Sequence, residues 1–254
     1  MRGTYWDYAS ETKNLTKEGF FPFQNGKKPL AMLKCMVGMQ KKPDSTVLGF
    51  FAGSSLTAHA VLVCNAEDGG DRQFIMVQVP EVGDAEAAGF GNVAALSKER
   101  IRRAGTKVLE GECHLDWKRD VGFRVLKVDT SNMKDVYYLP TELKQSDLSG
   151  TAENIKADRT AEDLLFQVLV DWGVDLTLPI RRETVQGKTV FFVDDTALVA
   201  CFESGITENL VKELAGFGPG RVVFRDSGFD SDAVKINTVQ IFRQLSPATD
   251  VRSI

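Results

Sequence analysis

The chain has 254 residues, 43% of them apolar, which is enough for one large domain or two ordinary ones. Its formal net charge of −4 and isoelectric point near 5.4 argue against a strongly basic nucleic-acid-binding protein. Four cysteines without a Cys-x-x-Cys pair, and only two histidines, argue against a zinc site. There is no apolar signal segment and no run of about 18 apolar residues, so we expect a bacterial cytoplasmic protein that does not contact a membrane.

The first predicted element is a helix that begins at Pro29. Proline suits the first helical position because its ring fixes φ and its missing N–H is not needed there. Apolar residues then follow at helical spacing: Leu30, Leu33, Met36 and Val37. The pattern fits either an ordinary core helix or one that lines a cofactor pocket.

The stretch Val47–Val61 predicts a buried strand, a tight loop of small residues and the start of a second helix. Its apolar residues Val47, Leu48, Phe50 and Phe51 suit a strand that is covered on both faces. Residues 52–55 are small, so the backbone can turn sharply and approach a ligand closely. The helix that follows would direct its free N–H groups at that ligand, which predicts a cofactor site.

A second strand is predicted at Phe74–Val79, a helix over residues 94–109 ending near Gly111, and a third strand at Phe123–Val128. Strands that alternate with helices indicate an α/β fold with an open parallel sheet. The basic run from Lys98 to Arg103 could meet phosphates, although a solvated helix face is favoured.

A second, smaller α/β module is predicted after the polar stretch 141–158, which resembles a linker or a peripheral helix. Its first helix begins at Thr160, with Asp163 in the capping-box position, and ends at Gly173. The remaining predicted elements are strands at Thr189–Val193, Ala197–Phe202 and Arg221–Phe224, and helices at Ile206–Ala215 and Ser231–Leu245.

Some acidic residues and one histidine have both a chemical and a structural interpretation. Asp194-Asp195 and the cluster from Asp226 to Asp232 could hold a metal or form an acid pair, but turn and helix-cap roles are favoured. His59 lacks a nearby nucleophile with an orienting Asp, which favours a structural or pocket-lining role. We therefore assign no catalytic residue and no metal ligand.

The segment from Leu48 to Val61 resembles the cofactor loop of amino-group DNA methyltransferases, which use S-adenosylmethionine, and in particular that of type III modification subunits. Eleven of its fourteen positions match the pattern Leu-Asp-Phe-Phe-Ala-Gly-Ser-Gly-Thr-Thr-Ala-His-Ala-Val. The resemblance continues in the same order through segments on both sides of the loop: Phe23–Leu33, Asp71–Glu81, Lys98–Gly105, Val121–Asn132, Glu162–Phe166, Val222–Phe229 and Gln244–Pro247.

The resemblance implies a set of cofactor-binding residues: Lys28, Pro29, Phe51, Ala52, Gly53, Ser54, Ser55, Thr57 and Gln78. In this set Gln78 would accept a hydrogen bond from the ribose, with Glu81 as the alternative.

The chain departs from the family pattern at three positions. Gly49 replaces an Asp, Ser55 replaces a Gly that takes positive φ, and Leu56 replaces a Thr. Losing the carboxylate would cost about 1.5–3 kcal/mol of cofactor binding. A serine at positive φ adds about 1 kcal/mol. We expect weakened cofactor binding.

The chain contains no Asp-Pro-Pro-Tyr type tetrapeptide, since no two of its eight prolines are adjacent. In the family this tetrapeptide holds the flipped target base and precedes the cofactor loop. The chain thus resembles a carboxyl-terminal portion without the catalytic half. Its expected parts are the exit of a target-recognition region (1–28), a partial Rossmann-like methyltransferase domain (29–140), a linker (141–158) and a carboxyl-terminal α/β module (159–254).

Two hypotheses follow from these features. The first is the cofactor-binding and assembly portion of a site-specific DNA adenine-N6 methyltransferase, whose partners would be double-stranded DNA, other modification subunits and the restriction subunit. The second is a non-catalytic remnant or protein-interaction module with a degraded loop. A nicotinamide-binding Rossmann protein is disfavoured, because no Gly-x-Gly-x-x-Gly follows Phe51.

Overall fold

A computed structural model describes residues 6–10, 20, 28–134 and 154–254. The chain divides into two compact units, Met1–Phe123 and Arg124–Ile254, here called the first and second units. Both are mixed α/β, and the described residues contain two sheets and six α-helices. The coarse fold class predicted from the sequence is therefore correct.

The first unit is built around two parallel strands. Its elements are α1 (Leu30–Gly38), β1 (Thr46–Gly49), α2 (Leu56–Asp68), β2 (Gln73–Met76), a 3-10 helix (Gly83–Ala88) and α3 (Val93–Glu110). The predicted helix over residues 94–109 is confirmed as α3, with Asn92 as its cap and Gly111 after its last residue. Strands β1 and β2 are paired from Thr46 with Gln73 to Gly49 with Met76.

One face of this two-stranded sheet is covered by helices. Val47 and Phe74 pack with α1 and α2 in one apolar cluster. Phe74 and Met76 also pack with Ala58 and Leu62 of α2 and with Ile101 and Ala104 of α3. These contacts bury the residues that point to the helical side.

The opposite face, here called the bare face, consists of Leu48, Phe50, Ile75 and Val77. These side chains are 60%, 63%, 52% and 42% exposed. The prediction of a strand covered on both faces is therefore wrong for the described chain, because the helices of the first unit pack on one side only.

The predicted third strand at Phe123–Val128 is absent, since these residues form no β-ladder. Arg124 instead donates hydrogen bonds to the carbonyls of Leu176 and Leu178 within the second unit. Val125, Leu126 and Val128 are about half exposed or more. Among the described residues of the first unit the parallel sheet therefore has two strands, and the alternating pattern at Phe123–Val128 did not predict a strand correctly.

The described part of the second unit has five strands, which are covered by helices on both faces. Its elements are α4 (Ala161–Asp171), β3 (Ile180–Val185), β4 (Lys188–Val193), β5 (Leu198–Cys201), α5 (Glu208–Gly216), β6 (Arg221–Phe224), α6 (Asp232–Leu245) and β7 (Asp250–Ser253). The strand order is β3-β4-β5-β6-β7, with antiparallel pairing in the first two pairs and parallel pairing in the last two.

Two apolar layers hold the second unit together. Phe192, Cys201 and Phe224 pack with α5 and α6 on one face, and Phe191, Val193 and Ala200 pack with α4 on the other. Both predicted caps are confirmed: Thr160 and Asp163 form a capping box, and the side chain of Ser231 caps α6. The strands β3 and β7 were not predicted, because charged residues interrupt their apolar pattern.

Part of the predicted linker 141–158 lies outside the described residues. Of its described residues, Ile155 is 4% exposed, pairs with Met133 in an antiparallel bridge and joins the core of the second unit. Residues 124–134 are grouped with that same unit.

Candidate functional site

The loop from Phe51 to Ser55, here called the small-residue loop, connects β1 to α2. Two of its residues are left-handed, Gly53 with φ of 53° and Ser55 with φ of 56°. The N–H of Ser55 donates to the carbonyl of Ala52 at 2.8 Å, which closes the turn. Helix α2 then begins at Leu56, and no side chain caps its first turn. Uncapped N–H groups at the start of a helix are the groups that bind anionic or polar ligands.

The end of β2 contacts one side of this loop. The N–H of Ala52 donates to the carbonyl of Val77 at 3.0 Å, and the N–H of Gly53 donates to Oε1 of Gln78 at 2.7 Å. Nε2 of Gln78 lies 3.3 Å from Oε1 of Glu81. Gln78, expected to meet the ribose, therefore already uses its side-chain oxygen to hold the loop, and Glu81 lies beside it.

Helix α3 contacts the other side of the loop, which the sequence patterns did not indicate. The Ser97 hydroxyl donates to the carbonyl of Gly53, and Nη1 of Arg100 donates to Oγ of Ser54 at 2.9 Å. Both side chains are buried. The only sequence signal is their spacing of three residues on a helix, which places them on one face.

Two buried polar atoms lie at and just after the loop without a hydrogen-bond partner: Oγ of Ser55 and Nδ1 of His59. Ser55 is fully buried, and His59 is 3% exposed. Burial, with the nearby charges of Arg100, Lys107 and Lys34, lowers the pKa of His59 to about 3. The imidazole is therefore neutral at physiological pH.

Gly49 lies at the end of β1, where the resembling family has an aspartate. A Cβ atom at this position would lie 2.7 Å from Sδ and 2.9 Å from Cε of Met76. The Met76 side chain thus fills the space that a side chain at position 49 would need, and no carboxylate is present at the strand end.

The remaining predicted cofactor residues lie in different environments. Phe51 is 86% exposed, with its ring edge-to-face against Phe50 at 5.4 Å. Lys28 is exposed, whereas Pro29 is buried and accepts a hydrogen bond from the N–H of Met32 at 3.1 Å. Thr57 lies in the first turn of α2 and is half-buried.

A groove of about 540 Å³ lies between α1 and α2, away from the small-residue loop. Its lining includes Lys34, Cys35, Cys64 and Glu67. Lys34 and Glu67 form an ion pair, and burial raises the pKa of the Cys64 thiol. The groove contains none of the predicted cofactor residues, so cavity size does not identify the site here.

The acidic residues of the second unit have structural roles. Asp194 and Asp195 are both left-handed and form the turn between β4 and β5. Asp226 is 2.7 Å from Nζ of Lys235 and accepts a hydrogen bond from Ser253, and these contacts lower the pKa of its carboxyl. Within the described ranges, no group of three or more His, Cys, Asp or Glu side chains could hold a metal ion.

The basic pair Arg181-Arg182 lies on β3 at the edge of the second sheet. The guanidinium groups lie over the rings of Phe192 and Phe191, at 5.0 and 5.8 Å from the ring centres. Each also forms an ion pair, with Glu183 and Glu162 respectively.

None of the helices in the described part of the chain combines the length and the apolar character needed to span a bilayer.

Several known proteins are similar to this chain, although no protein-family profile matches it. The Mod subunit of the type III restriction-modification enzyme EcoPI, from Escherichia phage P1, is 29% identical over 88% of the chain. The StyLTI Mod subunit of Salmonella typhimurium is 38% identical over 41% of the chain. The type II methyltransferase M.KpnI of Klebsiella pneumoniae is 33% identical over 29% of it.

Two of these relatives are Mod subunits of type III restriction-modification enzymes, and the third is a type II methyltransferase. The chain is homologous to a portion of the type III Mod subunits. It spans 34% of the length of the EcoPI subunit and 17% of the StyLTI subunit.

Proposed function

We propose that this chain is the S-adenosylmethionine-binding and assembly portion of a site-specific DNA adenine-N6 methyltransferase. The small-residue loop and the first turn of α2 would hold the cofactor, which supplies an electrophilic methyl group. The base-binding tetrapeptide, double-stranded DNA, further modification subunits and a restriction subunit would meet this portion in the complete assembly.

The observation that carries this proposal is the geometry of the small-residue loop. Its two left-handed residues follow a parallel strand and lead into a helix without a side-chain cap. A Cβ atom added at Gly53 would meet no atom within 4 Å, so the backbone there faces open space. The open space beside Gly53, the uncapped first turn of α2 and the unpaired hydroxyl of Ser55 together fit a ligand that approaches closely.

The bare face supports the assembly part of the proposal. Parallel sheets are normally covered on both faces, because their strands are apolar on both sides. Here the apolar residues Leu48, Phe50, Ile75 and Val77 are 42–63% exposed. A further portion of the methyltransferase sheet, together with its helices, would bury this face.

Isothermal titration of the chain with S-adenosylmethionine tests the cofactor site. We expect micromolar binding that falls at least tenfold in Gly53→Asp, because the new side chain would occupy the open space beside the loop. Gly218→Asp is the matched control. Gly218 also has positive φ, 64°, and open space around it, but it lies in the second unit. A folded chain that shows no binding would reject the cofactor role.

A non-catalytic remnant is the second candidate, and Gly49 is the observation that favours it. The family's carboxylate is missing, and Met76 fills its place. If binding is absent, Gly49→Asp with Ser55→Gly and Leu56→Thr should be made in a Met76→Ala background, which provides room for the aspartate. Recovery of binding would identify a mutated but intact pocket, and continued absence would favour the remnant.

A further inference from the structure

The small-residue loop is held from both sides at a single residue. The N–H of Gly53 donates to Gln78 after β2, while its carbonyl accepts the hydroxyl proton of Ser97 from α3. The next residue, Ser54, accepts from the guanidinium of Arg100, one helical turn after Ser97. Both helical side chains are at least 95% buried. These contacts link the loop to a helix more than 40 residues later in the chain.

The loop needs such support because its conformation is unfavourable for its sequence. Ser55 is left-handed, a region that serine rarely adopts, and Gly53 is free to leave this region when nothing holds it. A ligand that binds one loop conformation has its affinity reduced by the fraction of molecules in other conformations. Contacts that hold the backbone therefore raise affinity without touching the ligand.

We propose that Ser97 and Arg100 are positioning residues that keep the small-residue loop in its ligand-binding conformation. This inference rests on the proposed function for its ligand, S-adenosylmethionine, but not for its effect on the loop. Both side chains are buried and bond to Gly53 and Ser54, so we expect neither of them to contact the cofactor. Their effect reaches the cofactor only through the backbone of the loop.

Ser97→Ala and Arg100→Met test this role, with Thr106→Ala as the matched control. Thr106 is on the same helix, and its hydroxyl also donates to a backbone carbonyl, but that carbonyl belongs to Arg102 within the helix. Amide hydrogen exchange without ligand should accelerate at residues 52–57 in both test variants, while Ala60 and Val61 in the core of α2 stay protected. Ser97→Thr, which keeps the hydroxyl, should restore slow exchange.

Titration with S-adenosylmethionine gives the second readout. Losing one such hydrogen bond should weaken binding about three- to tenfold in each test variant and leave it unchanged in Thr106→Ala. If the Arg100→Met variant does not fold, the Ser97→Ala variant alone tests the positioning role. Normal loop exchange and normal affinity in a folded Ser97→Ala variant would overturn the inference. Faster loop exchange in a chain that never binds the cofactor would instead reject the proposed function and retain the positioning role.

Discussion

Ser55 combines two unfavourable features in one residue. Its backbone is left-handed, with φ of 56°, and its buried hydroxyl makes no hydrogen bond. The resembling family has a glycine of positive φ at this position, which predicts a left-handed Ser55, and the structure agrees. A residue so placed is retained at a cost to stability.

We expect Ser55→Gly to stabilise the chain by about 1 kcal/mol, because glycine adopts left-handed φ without strain. Urea unfolding followed by circular dichroism measures this change. Ser54→Gly is the control, since Ser54 has no positive φ and its hydroxyl accepts from Arg100. It should not stabilise the chain. Equal effects of the two substitutions would show that strain at Ser55 is not the cause.

His59 should make the stability of the first unit fall in acid. Its pKa is about 3 in the folded chain and near 6.5 when unfolded, so the unfolded chain binds the extra proton more readily. The stabilising contribution is complete above pH 6.5 and is lost as the pH falls towards 3. Between pH 6 and 4 the loss should be about 2 kcal/mol.

His59→Asn should flatten this part of the pH dependence, because asparagine does not titrate. The free energy of unfolding of both proteins should be measured from pH 7 to pH 4. Other titrating groups are common to the two curves and cancel in their difference. Curves that stay parallel below pH 6 would mean that His59 is not buried as a neutral group.

At the scale of elements, side chains that alternate along β1 and β2 give the first sheet one face covered by helices and one bare face. Val47 pairs with Phe74 and faces the helices, whereas the adjacent pair Leu48 and Ile75 lies on the bare face. The same two strands therefore supply one set of core residues and one set of exposed apolar residues. Exposed apolar surface of this kind promotes association.

The double substitution Leu48→Thr and Ile75→Thr should reduce self-association and change the free energy of unfolding by less than about 0.5 kcal/mol. Threonine is β-branched and favours strands, so the strands should still form. Val47→Thr is the matched control and should destabilise the chain by about 1–2 kcal/mol, because it places a hydroxyl in the packed cluster. Sedimentation velocity and urea unfolding measure the two effects. Strong destabilisation by the double substitution would show that the bare face is covered.

At the scale of the whole molecule, much of the second unit was predictable because its helix caps and one of its strands have signals within a few neighbouring residues. Thr160 and Asp163 begin α4, Ser231 caps α6, and the apolar run Arg221–Phe224 is strand β6. Each depends on neighbours within a few residues. The edge strand β3 was missed because its solvent-facing charges hide the alternating pattern, as is common where a sheet edge must avoid further pairing.

The first unit was less predictable because its contacts are distant in sequence. The apolar run at Phe123–Val128 was interpreted as a strand, but Arg124 bonds to carbonyls of residues 176 and 178 instead. The predicted loop was found where expected, with Ser55 left-handed. Its link to Ser97 and Arg100 was missed, because no local pattern shows which helix will pack beside a loop.

The turn between β3 and β4 has a consequence for the order of folding. Gln186 and Gly187 are both left-handed, and together they join Val185 to Lys188 in a two-residue hairpin turn. This hairpin forms from neighbouring residues, so it closes with little loss of chain entropy. Strand β1 can pair with β2 only after the chain between them, which contains α2, has folded back. We therefore expect the second unit to form its hairpin quickly, while the first unit, with its small-residue loop, completes its strand pairing more slowly.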